Sequence, residues 1–190
     1  AMIFFFFPEE DQPEMRRTAK TINFGVIYGM SAFRLARQLG ISRTMAKSFI
    51  DSYFATYSGV QDFINSTIEQ AEKEGFVETI NGRRRYIKAI NSANKTEKAA
   101  AERIAINTPI QGSAADIVKK AMIKVHAELS EKFPEAKLLL QVHDELIVEC
   151  PENQAEEVAK IMKTSMESVT QLTVPLKVSV EIGKRWGEFH

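Results

Sequence analysis

The stretch LLLQVHDELIVE, residues 138 to 149, limits the fold of this chain more than any other. Leu138, Leu139, Leu140 and Val142 come before a polar centre, His143-Asp144-Glu145, and Leu146, Ile147 and Val148 follow it. Two short apolar runs of this kind predict strands over 137–143 and 146–150. A chain that buries such runs should not carry an aspartate and a glutamate between them without a use for both. Taken alone, the acids fit a solvated turn as well as a functional site.

Other elements follow from periodicity and punctuation. A helical pattern runs from about Pro13 to Gly29. Gly40 reads as a stop, and ISRTMAKSFIDSYFATY as a new helix with Ser42 as its N-cap. SGVQDFINSTIEQAEKEG is a further helix with Gly75 as its C-cap. FVETINGRRRYI predicts a hairpin around Asn81-Gly82. TEKAAAERIAIN and IQGSAADIVKKAMIKVHAELSEKF read as two helices separated by Pro109, and after the two strands come a helix (152–169) and a last strand (176–182). Helices lead and a small antiparallel sheet closes, so the fold class is α+β. A boundary between a helical first part and a mixed second part is expected near residues 75 to 100.

Composition narrows the function classes. The chain has 190 residues, enough for one large domain or two small ones, and 44% are hydrophobic, so it can bury a core. Lys plus Arg equals Asp plus Glu at 25 each, which argues against an autonomous domain that holds nucleic acid by bulk charge. A single cysteine, Cys150, excludes an internal disulfide and reads as buried filling in a reducing compartment. No apolar run approaches the length of a membrane span. The opening AMIFFFFPEEDQPEM has an apolar run without a basic leader or a small-residue cleavage site, and residues 1–14 read as a disturbed or truncated segment.

The helix over 13–29 carries the densest pattern. At about 100° per residue, Met15, Ala19, Ile22 and Val26 fall in a sector of roughly 60° that seats the helix. Arg16, Lys20, Phe24 and Tyr28, at i, i+4, i+8 and i+12, drift across an adjacent sector of roughly 120°. Two cations and two aromatics on one face can hold a phosphate chain and stack a base. On spacing alone the plainer reading, solvated cations and core aromatics, is the commoner one. Gly25 and Gly29 weigh against it, because each costs about 1 kcal/mol in a helix interior and so implies packing or close approach.

These residues also carry a resemblance. RRTAKTINFGVIYG (16–29) resembles the fingers-helix motif R-x3-K-x3-FG-x2-YG of family A DNA polymerases, and QVHDE (141–145) resembles that family's third palm motif. AERIAINTPIQGSAADIVK (101–119) is similar to the segment between them, and NGRRRY (81–86) fits as well. The likeness runs from about Met15 to the end, in the family's order. It implies a right-hand polymerase architecture in incomplete form, with fingers over 15–75 and a C-terminal palm portion over 76–190. A single-subunit RNA polymerase shares the palm, but the FG-x2-YG spacing and QVHDE fit the DNA enzymes better.

The implied activity is template-directed DNA synthesis from a deoxynucleoside triphosphate onto a primer. By similarity Arg16 and Lys20 hold the β- and γ-phosphates, and Lys20 protonates the departing pyrophosphate. Phe24 presses on the sugar and base, a Phe here going with exclusion of dideoxynucleotides, and Tyr28 sits at the helix hinge near the templating base. Asp144, at the exposed tip of a tight hairpin of two buried strands, is the expected ligand for Mg²⁺ in a two-metal site. Glu145 is the secondary carboxylate and His143 touches the primer end. Arg103, Asn107 and Gln111 line the duplex, Gln111 reading minor-groove acceptors, unless they are ordinary polar helix residues. Arg83, Arg84 and Arg85 form a basic hairpin tip for backbone phosphates, although such tips are commonly just solvated. Asp116 reads as a structural helix residue.

The sequence also departs from the family pattern. No segment resembles the first palm motif, an aspartate at a strand end followed by Tyr-Ser and a Glu, and Asp51, Asp62 and Asp116 lie in helical segments unsuited to replace it. The expectation is therefore divided. The parent protein is a polymerase, cytoplasmic and nucleoid-associated if bacterial or else organellar. The 190 residues alone are expected to be inactive, needing the missing N-terminal part in cis or in trans. A non-catalytic DNA- or nucleotide-binding remnant, or a complementing fragment, is the alternative.

Overall fold

The computed structural model describes residues 12–188, apart from the side chains of 12–18 and of Thr21. The tetra-Phe segment, and the side chains of Met15 and Arg16, lie outside that description. The chain divides into two compact units, one up to Ile110 and one from Gln111 onward.

The first unit opens with four helices: α1 (Gln12–Ile27), α2 (Ala32–Leu39), α3 (Arg43–Thr56) and α4 (Ser58–Glu74). Their ends follow local chemistry. The Ser31 hydroxyl accepts from the Arg34 amide at 3.3 Å and the Ser42 hydroxyl from the Met45 amide at 3.1 Å, so serines cap α2 and α3. Gly40 and Gly75 close α2 and α4. The expected apolar stripe does seat α1: Val26 is buried, and Ile22 packs against Leu35, Ala36 and Ala46 of α2 and α3. Full burial of a leucine such as Leu35 contributes about 1.5–3 kcal/mol.

A hairpin follows, β1 (Phe76–Glu78) paired antiparallel with β2 (Arg84–Tyr86), as the Asn81-Gly82 signal predicts. The turn spans five residues and is organised by Thr79, whose hydroxyl accepts from the amides of Asn81 and Arg83. Phe76 meets Tyr86 edge-on at 5.6 Å, opposite its own strand partner. Val77, Ile87 and Ile90 pack on Ala71 of α4 and on Ala101 and Ala105 of α5 (Lys95–Lys132).

Helix α5 corrects the expectation of two helices parted at Pro109. It is one 38-residue helix with the proline inside. Proline removes the amide that would bond the Ala105 carbonyl, yet the helix continues through it. The Asn107 side chain donates to the Arg103 carbonyl at 2.8 Å, and the Thr108 hydroxyl donates to the Ile104 carbonyl at 2.7 Å. Helix-forming sequence on both sides then carries the helix through.

The second unit comprises the rest of α5, the hairpin of β3 (Lys137–Val142) and β4 (Glu145–Glu149), and α6 (Ala155–Glu167) after a short 3₁₀ turn. Val125 and Leu129 of α5, Leu146 of β4 and Val158 of α6 form its core, and the half-buried Cys150 packs there as filling. The two strands, expected to be buried, are only partly so. The pairing register slips between Leu138 and Leu140, and Leu139 and Leu140 are both about half exposed. Only one face meets the helices, and the bulge turns the extra leucine away from them. The strand expected over 176–182 does not form. That segment alternates in burial, Leu176 and Val178 half-buried between exposed neighbours, but among the described residues no strand pairs with it. Its Val178 amide donates instead to the Glu167 carboxylate at 2.9 Å.

Candidate functional site

Helix α1 presents a continuous row. The Lys20 ammonium stands 5.9 Å from the centre of the Phe24 ring, and the Phe24 and Tyr28 rings stack with centres 6.1 Å apart at 22°. The spacing of four residues puts the three on one side of the helix. Lys20 is exposed, and Phe24 remains 49% exposed. A large ring left in water beside a cation offers a flat surface and a positive charge together, a combination suited to an anionic, ring-bearing ligand.

The end of α1 explains the two glycines. The Met30 amide donates to the Gly25 carbonyl at 2.8 Å, and the Gly29 amide donates to the Val26 carbonyl at 3.0 Å. This pair of bonds is the Schellman closure, which requires a left-handed residue just past the end, and Gly29 has φ 74. Gly25 serves a different need. A methyl group there would stand 2.7 Å from the Met30 methyl carbon and 3.0 Å from its sulfur, so the thioether occupies the space a side chain would take. Tyr28 is thereby held at the residue after the end of α1, with the Gly29 backbone against the Arg103 stem, 3.5 Å from a would-be side chain to Arg103 Cγ. Met30 was not identified in the sequence as contributing; its place five residues after Gly25 and one after Gly29 is the signal that could have found it.

The remaining candidates of the first unit are occupied to different degrees. Arg103 is exposed, while the Asn107 side chain turns back onto its own helix, its Oδ1 buried without a partner. Of the three arginines at the hairpin, Arg84 is held internally: its Nε lies 2.7 Å from Glu78 Oε1 and its guanidinium stacks 4.4 Å from the Phe76 ring centre. Arg85 donates to the Thr108 hydroxyl at 3.4 Å. Arg83 is exposed.

In the second unit Gln111 is exposed at the start and Asp116 is buried within α5. His143, Asp144 and Glu145 are exposed at the β3–β4 turn. Val142 pairs with Glu145, so His143 and Asp144 are the two turn residues. The Gln141 side-chain amide donates to the His143 carbonyl at 3.0 Å. Two adjacent carboxylates are hard oxygen donors of the kind Mg²⁺ takes, and Mg²⁺ commonly uses one or two protein carboxylates beside substrate phosphate. Among the described residues there is no cluster of three or more His, Cys, Asp or Glu side chains that could hold a metal. Asp51 and Asp62 are exposed on α3 and α4. No described helix is long and apolar enough to cross a membrane.

Comparison with known proteins decides the family. The sequence profile of DNA polymerase family A matches residues 1–188. The chain belongs to DNA polymerase family A. It is 54% identical to DNA polymerase I of Borreliella burgdorferi over 182 residues, covering 96% of this chain and 20% of that protein. It is 49% identical to the thermostable DNA polymerase I of Thermus thermophilus over 179 residues, covering 94% of this chain and 21% of that one. The chain thus spans about a fifth of the length of these relatives. Among solved structures it is similar to the polymerase domain of Pol1 from M. smegmatis in complex with DNA primer-template and dNTP, with a TM-score of 0.86 and 43% identity over 92% of this chain and 31% of that one. The family resemblance and the α+β class therefore hold.

Proposed function

We propose that this chain is the nucleotide-gripping and carboxylate-bearing part of a polymerase that joins a deoxynucleoside triphosphate to a primer 3′-hydroxyl under template direction. The observation that carries the reading is the Lys20–Phe24–Tyr28 row on α1. In a family A member, a cation followed by stacked rings matches the order phosphate, sugar, base along a nucleotide. Lys20, with Arg16 one turn before it in sequence, neutralises the triphosphate, and a lysine ammonium can give a proton to the leaving pyrophosphate. Phe24 packs on the sugar and base. Tyr28, fixed by the Gly29 closure, stands where the templating base is admitted.

Asp144, seconded by Glu145, is the proposed holder of Mg²⁺, and His143 the contact to the primer end. When bound, the ion would supply positive charge for the oxygens that gain charge in phosphoryl transfer. What the chain contributes is placement: a two-residue turn leaves Asp144 exposed beyond the paired strands. Arg103, Asn107, Gln111 and Arg83 are proposed to follow the duplex, while Arg84 and Arg85 mainly stiffen the β1–β2 hairpin.

Without the aspartate of the family's first palm motif the two-metal site is incomplete, so the 190 residues by themselves are proposed not to turn over. The test is single-nucleotide primer extension with Mg²⁺ by the full-length polymerase containing this chain, beside Asp144→Asn, and by the 190 residues alone. Extension by the full-length protein, a loss of at least about 10³-fold in Asp144→Asn and none from the chain alone are expected, on the scale of removing a transition-state charge stabiliser. Undiminished extension by Asp144→Asn would overturn the assignment.

A further inference from the structure

His143 is the one non-glycine residue with positive φ among the described residues, at 53°, and its neighbour Asp144 does not share that sign. In a two-residue hairpin these signs belong to the type II′ turn; type I′ needs both positive. Type II′ ordinarily takes glycine first, so a histidine there is strained. Aspartate tolerates the left-handed region, so a type I′ turn is within reach of the same sequence. The two turns interconvert by rotating one peptide, the link from the His143 carbonyl to the Asp144 amide. Strand pairing from Val142 to Glu145 accommodates both. Something other than the ladder must select between them.

The Gln141 side chain makes that selection. Its Nε2 donates to the His143 carbonyl at 3.0 Å, the oxygen of the peptide that would rotate. Gln141 is exposed, so no burial compels it to find a partner there. Rotation would swing that carbonyl away and reverse the sign of φ at Asp144, re-aiming its side chain. We infer that Gln141 is a positioning residue for catalysis, holding the His143–Asp144 peptide in one orientation so that the Asp144 carboxylate is aimed before substrate arrives. The inference rests on the role proposed above for Asp144. It gives the first residue of the QVHDE run a task separate from touching DNA or metal.

Gln141→Glu preserves size and removes the donor above neutral pH; Gln141→Ala removes both. In the full-length polymerase, single-turnover extension at saturating nucleotide should fall at least about tenfold in each variant, the scale of a small misplacement of a reacting group. The nucleotide Kd should change less than about twofold and Tm should hold. An unchanged rate overturns the inference. So does a fall in rate matched by loss of nucleotide affinity and Tm, since that reports general damage. If the wild-type protein extends no primer, the functional reading fails on its own. The positioning claim is then decided in the 190-residue chain by the amide residual dipolar coupling of Asp144, which reports the orientation of that peptide plane. A changed coupling in Gln141→Glu supports the claim and an unchanged one overturns it.

Discussion

Replacing Gly29 by alanine tests the account of how Tyr28 is held, because the cost comes from backbone conformation alone. Gly29, the second residue past α1, has φ 74, and an L-residue in that region costs about 1–2 kcal/mol. The added methyl meets nothing closer than Arg103 Cγ at 3.5 Å, an ordinary contact, so no steric clash contributes. The unfolded chain loses freedom, which returns about 0.4–1 kcal/mol. The net expectation is a loss of about 1 kcal/mol, or roughly 2–4 °C in Tm for a chain of this size. Gly59 provides the control. It lies in the first turn of α4 at ordinary φ with nothing within 4 Å of an added methyl, so alanine there should gain up to about 1 kcal/mol from helix propensity.

Helical circular dichroism, followed through thermal melts of both variants, reads the pair. Gly29→Ala should melt below wild type and Gly59→Ala above it. The Met30 amide, bonded to the Gly25 carbonyl, should exchange faster in Gly29→Ala only. Shifts of the same sign in both variants, or undisturbed Met30 exchange, would refute the Schellman closure as the device that ends α1.

Lys20→Met keeps the stem near the Phe24 ring but removes the charge, so nucleotide affinity of the full-length polymerase should fall about 10- to 100-fold with Tm unchanged, as measured by equilibrium titration. Glu128 accepts from Lys132 Nζ at 3.1 Å and Ser165 Oγ at 3.0 Å, and these bonds, Lys132 first, hold its carboxyl below the usual range. A lowered folded pKa means this contribution is complete above the unfolded carboxylate range and is lost as pH falls through the folded value. Melts of Glu128→Gln against wild type should therefore differ near neutrality and converge in acid, and a difference that persists unchanged in acid would count against it. Burial pushes the Cys150 thiol up, so iodoacetamide at neutral pH should label it slowly until the chain unfolds, as followed by intact mass.

What could be read from the sequence was what neighbours in the chain decide. Ser42 caps α3, Gly75 ends α4, and Asn81-Gly82 sits in the β1–β2 turn, each through bonds spanning a few residues. The Lys20–Phe24–Tyr28 row follows from the helical period alone. Pro109 misled because a proline costs a helix one bond, and helix-forming sequence on both sides carries α5 through that loss. Residues 176–182 misled because alternation records which side chains face a core, while a strand also needs a partner backbone. The candidate site shows the same division more sharply. The residues that would touch nucleotide or metal carry chemistry in their side chains, so Lys20, Phe24, Tyr28 and Asp144 stand out in the sequence. Met30 and Gln141 act on backbone, one filling the space above Gly25 and the other gripping the His143 carbonyl. Neither side chain advertises such a role. Each is best located from a left-handed residue nearby, Gly29 for Met30 and His143 for Gln141. Among the described residues three places leave the ordinary backbone region beside a proposed substrate contact, Gly29, Gly82 and His143, and each is steadied by a neutral side chain, Met30, Thr79 and Gln141, so the supporting residues are best sought from φ outward.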